Sequence, residues 1–334
     1  MKNGKGDDAR DAYLSEAAHL YYDLGKKQSE VAKVMGITRS GVSRLLTEAR
    51  RRGIVEIVVH SPSNTSKELE DALAGLFGLK DVRVLIRRGK DDGEMLSELG
   101  VAAARYFLGI LEDGHMIGIS WGTALRHMLD ALRSSPSGTF ANSKVVQLIG
   151  GTGAEHASVV GPLLAPMLAN KLGCSCHYLH APLIMEHEHS RKTILMERSI
   201  RETMELGRSA DIALVGIGST RQEIYNPLRL GYVSEREMSD ILAAGGVGLV
   251  CGRHYSLDGA ELKTGLNERV IGITLSSLAD IPWVIGVAGG EIKGESILGA
   301  LLGRYVNVLI TDDVAARRVL EIHRQITSAS RPVL

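Results

Sequence analysis

The chain has 334 residues, with 39 Lys or Arg balanced by 39 Asp or Glu and only three Cys, so it is too long for one small module and not polybasic or polyacidic as a whole. The Cys174-Ser175-Cys176 pair suits neither a CxxC redox motif nor a zinc ribbon and points to a reducing compartment. No signal peptide, lipidation motif or apolar run of about 18 residues stands out, so a cytoplasmic location without a membrane partner is expected.

In chain order, the first eight residues read as a solvated tail, and Tyr13 to Tyr22 as a helix with Leu14, Ala17, Ala18 and Tyr21 on one face. Residues 28–53, QSEVAKVMGITRSGVSRLLTEARRRG, read as a helix-turn-helix. Val31, Ala32 and Met35 recur at helical spacing, Gly36 supplies the left-handed residue that ends the first helix, and Ile37 plugs the corner. Thr38 stands at the N-cap of a second helix whose Val42, Leu45 and Leu46 face inward. Its outer face carries Arg39, Ser40, Ser43 and Arg44, with Gln28 and Ser29 at the start of the first helix suited to phosphate contacts. Gly41 costs that second helix about 1 kcal/mol against Ala. Residues 26–53 hold eight Lys or Arg against two Glu. A basic segment on an otherwise neutral chain makes double-stranded operator DNA the expected partner, with Gln28, Ser29, Thr38, Arg39, Ser40, Ser43 and Arg44 as its contacts. Gly53 to Val59 reads as the arm of a wing. The polar stretch 61–66 is a linker between this head, 9–60, and a second domain, 67–330.

Beyond the linker, short apolar runs alternate with helical patterns. Strands are expected at Val82–Ile86, Met116–Ile119, Val145–Ile149, Ile212–Ile217, Val247–Val250, Trp283–Val287 and Val308–Ile310. Helices are expected at Glu94–Leu108, Ala124–Leu132, Pro162–Leu172, Lys192–Leu206, Ser234–Ala243, Ile297–Leu302 and Asp313–Gln325. This alternation predicts an α/β fold, a doubly wound, Rossmann-like parallel sheet that binds ligands at the carboxyl ends of its strands. Four such ends carry small-residue loops: Ser120-Trp121-Gly122-Thr123, Gly150-Gly151-Thr152-Gly153, Gly216-Ile217-Gly218-Ser219 and Ala288-Gly289-Gly290-Glu291-Ile292-Lys293. Backbone N–H groups, two hydroxyls and a helix N-terminus at the first loop suit a phosphate, and Lys293 adds a charge from another strand end. The Trp121 indole has the shape to stack on a sugar face or to fill a structural role. Asp258 is a candidate acceptor for sugar hydroxyls, or a turn residue.

The hairpin with VSRLLTEARRRGIVEI, then GISWGTAL, ADIALVGIG and VIGVAGGEIKGESILGALLGRYVNVLITDD, together resemble the SorC family of bacterial sugar-responsive transcriptional regulators along nearly the whole chain. The resemblance implies a second domain similar to sugar-phosphate isomerases, glucosamine-6-phosphate deaminase and CoA transferases, used to bind a sugar, polyol or sugar phosphate without a cofactor. It implies homo-oligomers, dimers or often tetramers, that release or rearrange operator DNA when the effector binds. Carried over, the effector contacts are Ser120, Gly122, Thr123, Gly218, Asp258, Lys293 and Asp312; the loop readings add Trp121, Gly151 and Gly290. This chain departs in having Gly294-Glu295-Ser296 after the lysine, where members commonly carry a small residue and then alanine, and its stretch around Arg253 and His254 is of a kind that varies among members.

Two other function classes compete. An isomerase or deaminase fused to DNA-binding helices needs a positioned base, and no carboxylate motif stands out as one. A metal site would draw on Cys174, Cys176, His177, His180, His187, Glu188 and His189, but the Glu-His-Glu-His run is not HExxH and reads as a solvated loop, so no metal is expected.

Overall fold

The computed structural model describes residues 4–55, 64–136, 138–151, 163–225 and 232–329. The chain divides into two compact units, residues 1–63 and 64–334.

In the first unit, α1 (Gly4–Ala18) runs further back than sequence predicts, taking up most of the expected tail, and passes into a wider π-helical turn over His19–Asp23. Next come α2 (Gln28–Met35) and α3 (Arg39–Arg51). Gly36 ends α2 at φ 67°, and the Thr38 hydroxyl accepts the Gly41 N–H at 3.1 Å to cap α3. The core is small: Leu14, Ala17, Val31, Val42, Leu46 and Ala49 are buried. Arg10 and Arg52 ion-pair with Glu48, and Arg52 also with Asp11 at 2.8 Å, tying α1 to α3. Gly41 has a local reason: a methyl there would sit 3.3 Å from the capping Thr38 Oγ1. Of the expected wing, Ile54 and Val55 fold back onto the Ala49 carbonyl rather than extend, and the rest lies outside the described residues.

The second unit is built on a seven-stranded sheet. Its strands are β1 (Asp81–Leu85), β2 (Met116–Ile119), β3 (Lys144–Gln147), β4 (Ser175–His177), β5 (Ile212–Gly216), β9 (Trp283–Val287) and β10 (Val308–Asp312), in the order β1-β10-β9-β5-β2-β3-β4, with every neighbour parallel. Alternation along β5 sorts two cores: Ile212 and Leu214 pack into one, Ala213 and Val215 into the other. Helices α4 (Lys67–Phe77), α12 (Gly294–Leu302) and α13 (Asp313–Ala329) cover one face. Helices α5 (Asp92–Ile110), α6 (Thr123–Ala131) and α7 (Leu164–Leu172) cover the other. Chain order runs outward from β2 through β3 to β4, then returns to β5 and continues to β9 and β10 on the other side. The direction therefore reverses between β2 and β5, and a crevice opens there.

Two expectations are corrected. The Val247 run is not in the parallel sheet: β7 (Gly246–Val250) pairs antiparallel with β6 (Gly218–Ser219) and β8 (Arg253–Ser256) in a separate small sheet. Its two-residue turn, Cys251-Gly252, has both φ angles positive, at 51° and 76°, as a twisted hairpin requires. The helix read over Lys192–Leu206 is two helices, α8 (Glu188–Ile194) and α9 (Arg198–Arg208), because Glu197 is extended; α10 (Glu235–Ala243) and α11 (Leu275–Ala279) follow. Edge strand β4 is too short and polar to have been read.

Helices α5 and α6 cross closely at Gly100, where an added Cβ would lie 2.5 Å from the His127 carbonyl carbon. Gly100→Ala is expected to destabilise the protein by about 1–3 kcal/mol, although alanine favours an isolated helix. Thermal or urea unfolding checks this; a variant as stable as the parent would mean that the helices do not meet there.

Candidate functional site

In the head, α3 presents Arg39, Ser40, Ser43 and Arg44 to solvent, while Val42, Leu45 and Leu46 turn inward. Arg39 shares one groove with Lys26, Lys27, Gln28 and Ser29 from the start of α2. Five cationic or polar positions suited to phosphate contacts thus meet on one side of the helix pair, and Thr38 serves as the cap of α3.

In the second unit, a cavity of about 330 Å³ opens at the carboxyl ends of the sheet strands, of a size for a small molecule. The end of β2 supplies Trp121, Gly122 and Thr123, that of β5 supplies Gly216, Ile217 and Gly218, that of β9 supplies Gly289, Gly290 and Lys293, and β10 supplies Asp312. At the crevice the loops touch: a methyl on Gly216 would meet the Trp121 carbonyl oxygen at 3.5 Å and Gly122 Cα at 3.8 Å. Among the described residues no side chain caps the start of α6, whose first residues, Thr123 and Ala124, line the same cavity with their N–H groups left open. The Trp121 indole N–H is buried with no acceptor among the described residues.

Lys293 reaches across from β9 and donates through Nζ to the Ile217 carbonyl at 2.9 Å. Burial away from water lowers its ammonium from 10.5 to about 8. Asp312 is fully buried: Oδ2 accepts the Gly290 N–H and Oδ1 the Ala315 N–H, both at 2.8 Å. Gly290 takes φ 92°, a region that disfavours a side chain. The cavity wall includes Met95, Leu96, Leu99, Ile224 and Ile292.

Seven sequence-predicted effector residues therefore line one cavity: Trp121, Gly122, Thr123, Gly218, Gly290, Lys293 and Asp312. Ser120 does not line it; it is buried beneath, with its N–H donated to Leu214 and its hydroxyl against the Cys251 thiol, which burial pushes up to about 12. Two residues stand elsewhere. Asp258 is exposed in the turn after β8, accepting hydrogen bonds from Ser256 Oγ and the Ala260 N–H, which is the turn-residue role. Gly151 bridges Pro182, and its close packing continues at Gly150, where a Cβ would meet the Pro182 carbonyl oxygen at 2.4 Å; Thr152 and Gly153 lie outside the described residues. Arg253 and His254 are buried under the small sheet. Arg253 donates to the Ile273 and Asn267 carbonyls and pairs with Glu261. His254, held neutral by burial with its pKa lowered to about 4, accepts from Tyr225 and donates to Asn267. His187 and His189 stack on each other, with centroids 5.4 Å apart.

Sequence reasoning passed over Arg87, which also lines the cavity. The signal was available: a basic residue two positions past the carboxyl end of a parallel strand.

Over residues 61–321 the sequence matches the family described as "Putative sugar-binding domain". It is 32% identical over 316 residues to the transcriptional regulator LsrR of Klebsiella pneumoniae, covering 94% of each chain. It is also 32% identical over 317 residues to the sorbitol operon regulator of Klebsiella pneumoniae, covering 94% of this chain and 99% of that one. Identity to the deoxyribonucleoside regulator of Bacillus subtilis is 32% over 305 residues, with 91% and 96% covered. The crystal structure of the full-length sorbitol operon regulator SorC from Klebsiella pneumoniae aligns with a TM-score of 0.78 at 32% identity, covering 92% of this chain and 98% of that one.

The Lys293 environment has a measurable consequence. Its ammonium should titrate near pH 8 in the ligand-free protein, followed by the NMR shift of its ε-carbon. The unfolded chain holds this proton up to about 10.5, so the buried charge costs stability below pH 8, and that cost is relieved as pH rises through 8 to 10.5. A midpoint at the ordinary 10.5 would mean that the ammonium is hydrated.

Proposed function

Because the chain belongs to the SorC family of sugar-binding transcriptional regulators, we propose that it is a sequence-specific DNA-binding regulator of a carbohydrate-utilisation operon. A sugar or sugar phosphate in the cavity controls its grip on operator DNA. The observation that carries this reading is the meeting, in one cavity, of a desolvated Lys293 with the uncapped start of α6, in a chain that also bears a basic helix-turn-helix.

The ammonium and the helix N-terminus come from different strand ends, so a phosphate between them draws the β2 and β9 loops together. An anion also restores the pKa of Lys293. The contribution of Lys293 to its affinity is then constant below pH 8 and falls above it, where the lysine must take up a proton on binding. Ligand and loop conformation are thereby coupled, as any switch requires. Binding rather than turnover is the reading favoured by the carboxylates lining the cavity. Asp312, the buried carboxylate among them, has both oxygens committed to backbone N–H groups, which leaves it unsuited to act as the base an isomerase needs. A helix-turn-helix reads few base pairs alone, so two or more heads act together, held by the second unit in a dimer or tetramer.

Lys293→Ala should leave ligand-free operator binding near normal and strongly reduce the response to a sugar phosphate. Arg39→Ala with Arg44→Ala should weaken operator binding and flatten its salt dependence by about one unit of slope per lost phosphate contact. Electrophoretic mobility shift titrations with and without a panel of sugar phosphates read both effects. An unchanged inducer midpoint for Lys293→Ala, or an effective inducer with no anionic group, would sink the anion site.

Light scattering on the full-length chain should report at least a dimer, and a strictly monomeric species would contradict the proposed assembly.

A further inference from the structure

We propose that Arg87 is a second ligand-gripping cation of the cavity, and that Asp92 is its internal competitor, a tethered carboxylate holding the place that an anionic group of the ligand takes. This rests on the reading of the cavity as an anion site.

Arg87 lines the cavity two residues beyond β1, where its backbone N–H donates to Asp313 Oδ1 at 3.0 Å. Its guanidinium faces two carboxylates of opposite character. Asp312 lies 3.9 Å from Nη2, but that carboxylate is fully buried and both its oxygens already accept backbone N–H groups. Asp92 makes the close contact with Nη2, and its side chain is 89% exposed. The start of α5 does not need Asp92, because Asp91 caps the helix by accepting the Glu94 N–H at 2.8 Å and Glu94 returns the bond. Among the described residues, Arg87 is the partner of the Asp92 carboxylate, and exposed ion pairs of this kind are weak enough to be exchanged.

The other end of the same guanidinium edge points to what replaces it. Arg87 Nε is buried and has no acceptor among the described residues. Nε and Nη2 together form the edge with which arginine grips a phosphate or carboxylate through two parallel hydrogen bonds. Asp92 accepts from Nη2, while Nε has no acceptor among the described residues. An anionic group of the ligand that takes both gains one charge-assisted bond over Asp92 and also satisfies a buried donor. With Lys293 on a separate strand end, the cavity then has two cationic grips, which favours ligands negative at two positions, such as a phosphorylated sugar acid or a sugar bisphosphate.

The test uses the full-length chain and inorganic phosphate as the probe, by isothermal titration at low salt. Asp92→Asn removes the competitor and keeps the helix cap, so phosphate affinity should rise about two- to fivefold, the range set by an exposed pair. The gain should vanish in Asp92→Asn combined with Arg87→Gln, and shrink with Arg87→Lys, which keeps the charge but lacks the two-nitrogen edge. Unliganded melting temperatures confirm that each variant is folded. A gain that persists without Arg87 would reduce Asp92 to a general repulsive charge and overturn the proposal, as would unchanged affinity in Asp92→Asn. Lys293→Ala, run in parallel, separates the two readings. If it loses phosphate binding while Asp92→Asn is neutral, the anion cavity stands and the Arg87 proposal falls; if both variants are silent, the cavity reading falls and takes the proposal with it.

Discussion

The ligand-facing edge of the sheet is organised around one carboxylate with no exposed surface, Asp312. A buried charge is tolerable only when its oxygens are occupied, and here each oxygen takes a backbone N–H, one from Gly290 and one from Ala315. Those bonds join the end of β10 to the turn after β9 and to the first turn of α13. The packing is tight enough that a Cβ on Gly289 would sit 2.5 Å from Leu99 Cδ1 and 2.7 Å from Asp312 Oδ2. The turn so anchored carries Lys293 to the Ile217 carbonyl at the end of β5. Asp312 is therefore a positioning residue for the lysine, although it also lines the cavity.

The head works by different physics. Its core is a handful of side chains from three helices, its ion pairs are at the surface, and its candidate DNA contacts on α3 are exposed side chains. Exposed pairs such as Arg10 with Glu48 add little each and weaken with salt. The second unit instead draws on two extended cores and on buried polar groups such as Arg253 and Asp312, which bond mostly to backbone. Substitutions in the head should thus be felt mainly at its own surface.

What could be read from sequence follows the same division. The helix pair was legible because each position carries a local signal: the left-handed Gly36, the Thr38 cap and the inward Val42, Leu45 and Leu46. The parallel strands were legible because burial on both faces makes them continuous apolar runs, as in Ile212–Gly216. The small sheet was not, because its hairpin turns on Cys251, a residue type with no preference for positive φ. The cavity was legible as a set of strand-end loops, which place Trp121, Gly122, Thr123, Gly218, Gly290 and Lys293 by topology alone. Asp258 was misplaced because a carboxylate before glycine serves a turn as well as a ligand, and only tertiary packing separates the two. Arg87 was missed because one basic residue after a strand resembles any surface charge until its partners are known.

Much of what the cavity offers a ligand comes from the main chain: glycine loops on three strand ends and the open first turn of α6. Main-chain donors survive every side-chain replacement that leaves the loop conformation intact. Point mutation therefore erodes this anchor slowly, while Leu96, Ile224 and Ile292 on the wall are free to be exchanged for residues of other shapes and polarities. A duplicated gene could in this way acquire a new effector by altering a few wall positions, with the main-chain donors inherited intact.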